Sequence, residues 1–275
     1  MVLESAKPLG AANPPPRRDG AAIPEATGTS MSNAMANSPA AAPDDAKFRD
    51  STEALRRLAH FHAEEPTPAL LTALRQNPVG RGPLALDRDD ALQAAALVDE
   101  VVSDLPERIT RRCLASLAAD FTAIHHGGDL RTCPTEGPWR DERVRAEAAA
   151  SLQRWRTGLE TELRRPPFDR LPDDHVAVEL ALLATLLDRG RAADAVRFLD
   201  RHPLCWVPNF CSRIATRCRE PFFAGIAILT NAHLDHLRDR LGAACNMPRP
   251  GEDEADVRRR RWAEGRFPRA CTCES

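Results

Sequence analysis

Residues Leu171–Phe210 read LPDDHVAVELALLATLLDRGRAADAVRFLDRHPLCWVPNF, and the apolar spacing in this stretch decides the fold. Val176, Leu180, Leu183 and Leu187 form one helical row, with Leu182 and Leu186 in an adjacent one, so the segment predicts a helix buried on a wide face. Asp173 and Asp174 stand at its N-terminus, where carboxylates accept backbone N–H bonds and complement the macrodipole. Gly190 ends it, and Arg191–Arg201 makes a second helix. Beyond His202, either Pro203 or Pro208 could take the first position of the next helix. A proline inside a helix loses a hydrogen bond, which favours Pro208 as the start and leaves Cys211, Ile214 and Cys218 as the inward row. Pro221–Leu241 is the last helix, with Phe222, Ile226, Leu229 and Leu237 as core.

Working outward, the same three- and four-residue spacing recurs upstream. Phe48, Leu55, Leu58, Ala59 and Phe61 mark a helix stopped near Pro66, and a short helix covers Pro68–Gln76. NPVGRGPLAL reads as a loop, and Asp87–Ser103 resumes the helix. Glu107–His126 is expected to be another, with Ile109, Cys113, Leu117 and Phe121 inward and Cys113 a packed thiol. A Gly- and Pro-rich loop runs from His125 through Cys133 to Trp139, followed by a helix from Asp141 to about Leu159 with Val144, Ala148, Leu152 and Trp155 along one side. Arg164–Pro167 then breaks the chain as a hinge that would divide the domain into two helical subdomains. The expectation is an all-α single helical domain over residues 46–243, between a disordered tail (1–45) and a mobile polar tail (244–275).

Composition narrows the classes of function. A net charge of -2 from 38 basic and 40 acidic side chains argues against a broad nucleic-acid surface, which needs a dominant positive field. The longest apolar run, near Val176–Leu187, is shorter than the ~20 residues that span a bilayer, so no stable membrane insertion is expected. The N-terminus has no continuous apolar core of a secretory signal; Arg17-Arg18 is followed by DGAAIPEATG, which reads as two solvated arginines in a linker. The chain is therefore expected in the cytoplasm, with its eight cysteines reduced.

The candidate chemistry is sparse. His125-His126 and Asp129, with Asp173-Asp174-His175, would supply imidazole and carboxylate ligands to a divalent metal, the alternative reading being a metal-dependent hydrolase. One group lies in a loop and the other begins a helix, so the fixed geometry such a site needs is not visible. Cys271 and Cys273 with Cys245 lack the second pair of ligands of a structural zinc site. No phosphate-binding loop and no nucleophile elbow is present. His175 and Glu179 share a helix face, either as a local pair that steadies the first turn or as part of a site. Trp206 and Phe210 flank Pro208 as core residues or as the lining of a peptide groove.

At these residues the chain resembles the TorD/DmsD family of chaperones for molybdenum-containing redox enzymes. The family's Asp-His-(Leu/Val)-x-x-Glu-Leu motif is matched by Asp174, His175, Val176, Glu179 and Leu180. Its second signature, Phe-Leu-x-x-His-x-x-x-Trp-x-x-x-Phe, is matched by Phe198, Leu199, His202, Trp206 and Phe210. An earlier element, an aromatic helix end running into a Gly/Pro loop and an aromatic, is similar to Phe121 through Pro138-Trp139, and the likeness covers Phe48–Leu241. Departures are Leu182 where the family has an aromatic, Asp141 in place of a small hydroxyl, and both tails.

The resemblance implies a non-catalytic cytoplasmic chaperone, monomer or homodimer, without a cofactor of its own. Its partner would be a molybdoenzyme apoprotein, bound through its twin-arginine signal peptide before cofactor insertion and export. Such a peptide presents two arginines followed by an apolar helix, so its receptor needs carboxylates beside an apolar groove. Asp174, Glu179 and His175 are the candidates at the arginines; Trp139, Trp206 and Phe210 are the candidates for the groove.

Overall fold

The computed structural model describes residues 48–126, 132–163 and 166–250. The two tails, the Gly127–Arg131 part of the loop after His126, Arg164-Arg165 and the Cys271-Thr272-Cys273 end lie outside the described residues. Within them the chain is an all-α single domain of nine helices: α1 (Arg49–Ala63), α2 (Pro68–Gln76), α3 (Asp89–Ser103), α4 (Ala115–His125), α5 (Glu142–Leu163), α6 (Val176–Asp188), α7 (Ala192–Arg201), α8 (Pro203–Arg217) and α9 (Pro221–Cys245). Short 3-10 turns precede α3, α4, α5 and α6.

Helix α6 is the centre, and it is apolar all round because it is covered all round. Every residue from Val176 to Leu187 is buried, and α1, α5, α7 and α8 pack against it. Its polar members are satisfied internally: Thr185 Oγ1 donates to the Ala181 carbonyl at 2.8 Å, and Glu179 accepts from Trp206. His175 caps the N-terminus, its Nδ1 accepting from the Ala177 N–H at 3.2 Å. The helix closes in a Schellman turn, with Gly190 at φ 65° and the N–H groups of Gly190 and Arg191 bonding the Leu187 and Leu186 carbonyls, both at 2.9 Å. Helices α5 and α6 pack on each other directly, so the segment between them joins elements of one domain rather than hinging two subdomains.

The second axis is α9, 25 residues long, lying along α3 and α8. At Gly225 a Cβ would stand 2.5 Å from Val98 Cγ2 and 2.8 Å from the Ala94 carbonyl oxygen, so the α3–α9 backbones meet at a distance only glycine permits. In an exposed helix Gly→Ala stabilises by about 1 kcal/mol. Here Gly225→Ala is expected to destabilise by about 1–3 kcal/mol through overpacking, a reversal of sign that urea denaturation will read.

Four expectations are corrected. The helix anticipated over Glu107–His126 begins only at Ala115, after a 3-10 turn at Arg111–Leu114. Thr110 is extended and local bonds compete with the helix there: Cys113 N–H donates to the Thr110 carbonyl at 3.0 Å, and its Sγ lies 3.2 Å from Thr110 Oγ1. Cys113 is thus half-exposed rather than packed, and Val144 is exposed rather than inward. Helix α8 starts at Pro203 and carries Pro208 within it. Burial of Trp206, Val207 and Phe210 on one short helix outweighs the single backbone bond that Pro208 removes.

Candidate functional site

The site forms where the Thr132–Arg140 segment folds over the N-terminus of α6. Two backbone bonds hold the polar Asp173-Asp174-His175 turn there: Val176 N–H donates to the Pro134 carbonyl and Glu136 N–H to the Asp174 carbonyl, both at 2.8 Å. A third bond, from Gly137 N–H to Asp174 Oδ2 at 3.1 Å, orients the carboxylate. Trp139 is anchored through its indole N–H, which donates to the Cys133 carbonyl at 2.8 Å, and the Arg213 guanidinium lies 5.1 Å from its ring centre.

The six residues singled out in the sequence converge here at two depths. Asp174 and Trp139 are half-buried and reach the surface. His175 lies just beneath them as the helix cap. Glu179, Trp206 and Phe210 are fully buried at 0 % exposure and present no face to a partner in this state. Trp206 Nε1–H donates to both Glu179 carboxyl oxygens, at 3.2 and 3.1 Å. The rings of Trp139, Trp206 and Phe210 are mutually 5.6 to 6.4 Å apart, a continuous aromatic wedge between the surface and the core. Burial pushes the Glu179 carboxyl well above its ordinary range, and the neighbouring Glu136 adds to this. Burial likewise raises Asp174, with the Gly137 N–H pulling the other way. Asp174 makes no ion pair among the described residues.

Several of the site's polar groups had no local signature. Glu136 is almost fully buried, with Oε1 receiving Arg140 Nε at 2.6 Å and Oε2 lying 2.9 Å from His202 Nδ1; the other ring nitrogen of His202 lies 3.0 Å from Ser151 Oγ. Hydroxyl, imidazole and carboxylate stand in the order of a hydrolase triad. Ser151, however, sits inside α5, where the backbone N–H groups that would build an oxyanion hole are used by the helix. The relay therefore ties the loop, α5 and α7 together. Arg140 extends it by donating to the Arg201 carbonyl, and Arg156 pairs with Asp173. The visible hints were the spacing of Glu136 and Arg140 and the place of His202 in the second signature.

Below the wedge lies a group of imidazoles. His62 and His125 are 5.5 Å apart between ring centres, and His125 and His175 are 6.1 Å apart. Burial, reinforced by His175, lowers His62 to about 3; burial, reinforced by His126, lowers His175 to about 4; and burial with its neighbours His62, His175 and His126 holds His125 well below the ordinary value. Among the described residues no group of three His, Cys, Asp or Glu side chains could hold a metal ion, and Asp129 of the metal alternative lies outside them. Cys113, Cys205, Cys211, Cys218 and Cys245 are thiols.

The comparisons agree with this geometry. A family model described as the nitrate reductase delta subunit matches residues 86–212, the span that holds both signatures. Two relatives are each named Chaperone protein TorD. The one from Actinobacillus succinogenes is 27% identical over 109 residues, covering 39% of this chain and 55% of the relative. The one from Salmonella bongori is 32% identical over 88 residues, covering 32% of this chain and 42% of the relative. The chain thus spans about half the length of the curated relatives it matches. Helical fold, paired signatures and these matches together make the chain similar to the TorD family over residues 86–212.

Proposed function

We propose that the protein is a chaperone in the maturation of a molybdoenzyme, working in the cytoplasm, and that it binds the twin-arginine signal peptide of the apoenzyme at the α6 entrance until cofactor is inserted. The observation that carries this reading is Asp174, a half-buried carboxylate oriented by a backbone N–H and making no ion pair among the described residues. Removing a charge from water without a counter-charge is costly, and an incoming guanidinium supplies one with matching planar geometry. Asp173 supports the same chemistry, because Arg156 already occupies it and a peptide arginine would exchange with that side chain.

In this reading Asp174 and Trp139 contact the peptide, and His175, Glu179, Trp206 and Phe210 shape the site from below. The apolar half of the signal peptide then packs against Trp139 and its surroundings, with deeper access requiring the wedge to open.

Asp174→Asn is the direct test, since an asparagine oxygen still accepts from Gly137 N–H while the charge is gone. Loss of one charge-assisted pair, about 1.5–3 kcal/mol, weakens binding of a synthetic twin-arginine peptide by roughly tenfold or more, with an unchanged melting temperature. Equal affinity of Asp174→Asn and the parent chain would count against the assignment.

A further inference from the structure

On α5 and α7 lies a cavity of about 460 Å³ whose walls carry Arg154, Arg191, Arg197 and Arg201 around Trp155, with Ser151 at its floor. We propose that this cavity binds an acidic peptide segment, one that presents several carboxylates and an apolar side chain.

Charge complementarity is the first ground. The whole chain has a net charge of -2, so four arginines around one cavity are a local concentration of positive field rather than a reflection of composition. Carboxylates are already recognised here: Asp194 Oδ2 accepts from Arg191 at 2.8 Å, Asp194 Oδ1 from Arg197 at 2.8 Å, and Glu147 pairs with Arg201. These two internal carboxylates leave the walls with a surplus of cations, and Arg154 makes no ion pair among the described residues.

Shape selects a peptide over a compact anion. Arg191 and Arg201 are ten residues apart on and before α7, and at 1.5 Å per residue the guanidinium row runs over roughly 15 Å. One phosphate engages one or two such groups, whereas carboxylates spaced along a backbone engage the row in turn. Trp155 adds an apolar platform: it is half-buried, with Phe198 edge-on at 5.6 Å beneath it and Arg191 at 5.6 Å from its centre. At Gly158 a Cβ would meet nothing within 4 Å, so the cavity wall is open at that point.

The proposal does not rest on the twin-arginine reading, because the two sites are opposite in sign. A twin-arginine peptide is repelled from the arginine walls, and an acidic peptide from Asp173 and Asp174. The Ser151–His202–Glu136 bonds nevertheless join the floor of this cavity to the loop of the other site, so occupancy of both by one client is structurally compatible.

The test is fluorescence anisotropy of the full chain with a fluorescein-labelled peptide of alternating Glu and Asp carrying one Phe. Saturable binding that weakens with added salt is expected. Arg154→Glu combined with Arg197→Glu should weaken it by roughly tenfold or more. Both side chains are exposed, so the circular-dichroism melt should not move. Gly158→Glu, which sets a carboxylate at the open wall, should weaken it as well. No binding by the parent chain, or undiminished binding by both variants, overturns the proposal. Displacement by inorganic phosphate or by a nucleoside triphosphate at concentrations where free glutamate has no effect also overturns it, as the cavity would then be a phosphate site. Competition by a twin-arginine peptide would place the acidic peptide at the α6 entrance and overturn the assignment without touching the proposed function.

Discussion

Truncating Trp206 to alanine should cost about 3–5 kcal/mol of stability, a large share of the roughly 5–15 kcal/mol that holds a domain of this kind folded. Trp206 heads the fully buried side chains by size, and its ring bridges Trp139 at the surface to Phe210 in the core. Its indole N–H is also the donor that satisfies both oxygens of Glu179, on a helix with no exposed side from Val176 to Leu187. Truncation therefore opens a cavity and strands a buried carboxyl. Trp206→Phe retains most of the volume and removes only the N–H, so it separates the two costs, and pairing it with Glu179→Leu should recover part of the loss. Urea denaturation of the three variants measures this. A Trp206→Ala loss below about 1 kcal/mol would show that the wedge does not carry the packing assigned to it.

Acidification should unfold the protein from the histidine side. His62, His125 and His175 are neutral in the fold, with values depressed below the ordinary 6.5, whereas in the unfolded chain they take up protons as pH falls through that value. The stability that depends on their neutrality is complete above pH 6.5 and is lost as pH falls toward the folded values near 3 to 4. His233, also lowered by burial, adds to the loss. Glu179 and Asp174 act the other way, since burial raises them and their protonation in the fold is favoured as pH falls. Each uncompensated proton contributes about 1.4 kcal/mol per pH unit. With more histidines than carboxyls in the balance, stability should decline by a few kcal/mol from pH 6.5 to 5. His125→Phe sharpens the test. Among the described residues His125 Nδ1 is buried without a hydrogen-bond partner, and its ring lies 4.4 Å from that of Phe121. The substitution should preserve packing while flattening the slope by about one proton. An unaltered slope would contradict the assignment.

Helix order was legible in the residues because periodicity reports which face is inward. α2 occupies Pro68–Gln76 as read, where Pro68 starts it and Thr67 caps it, and Leu180, Leu183 and Phe222 are all core. Failures arose where a local rule met a tertiary one. Pro208 is tolerated within α8 for the sake of its buried face, and Glu107–Thr110 carries helical spacing without the burial that would fold it. The candidate site was legible as a list and not as a geometry. Glu136 and His202 are 66 residues apart and Ser151 and His202 are 51 apart, so no spacing rule could pair them. Nor could periodicity distinguish Asp174, which faces solvent in part, from Glu179, which belongs to the same motif and is fully buried.

The central claim is recognition of paired guanidinium groups by the carboxylate at the α6 entrance, and a calorimetric double-mutant cycle tests it most directly. The full chain and Asp174→Asn are each titrated with a synthetic signal peptide bearing Arg-Arg before an apolar run, and with the same peptide bearing Gln-Gln. The account predicts that Asp174→Asn weakens the Arg-Arg peptide by roughly tenfold or more and leaves the weaker Gln-Gln peptide unchanged. Equal losses for both peptides, or none for either, would contradict it.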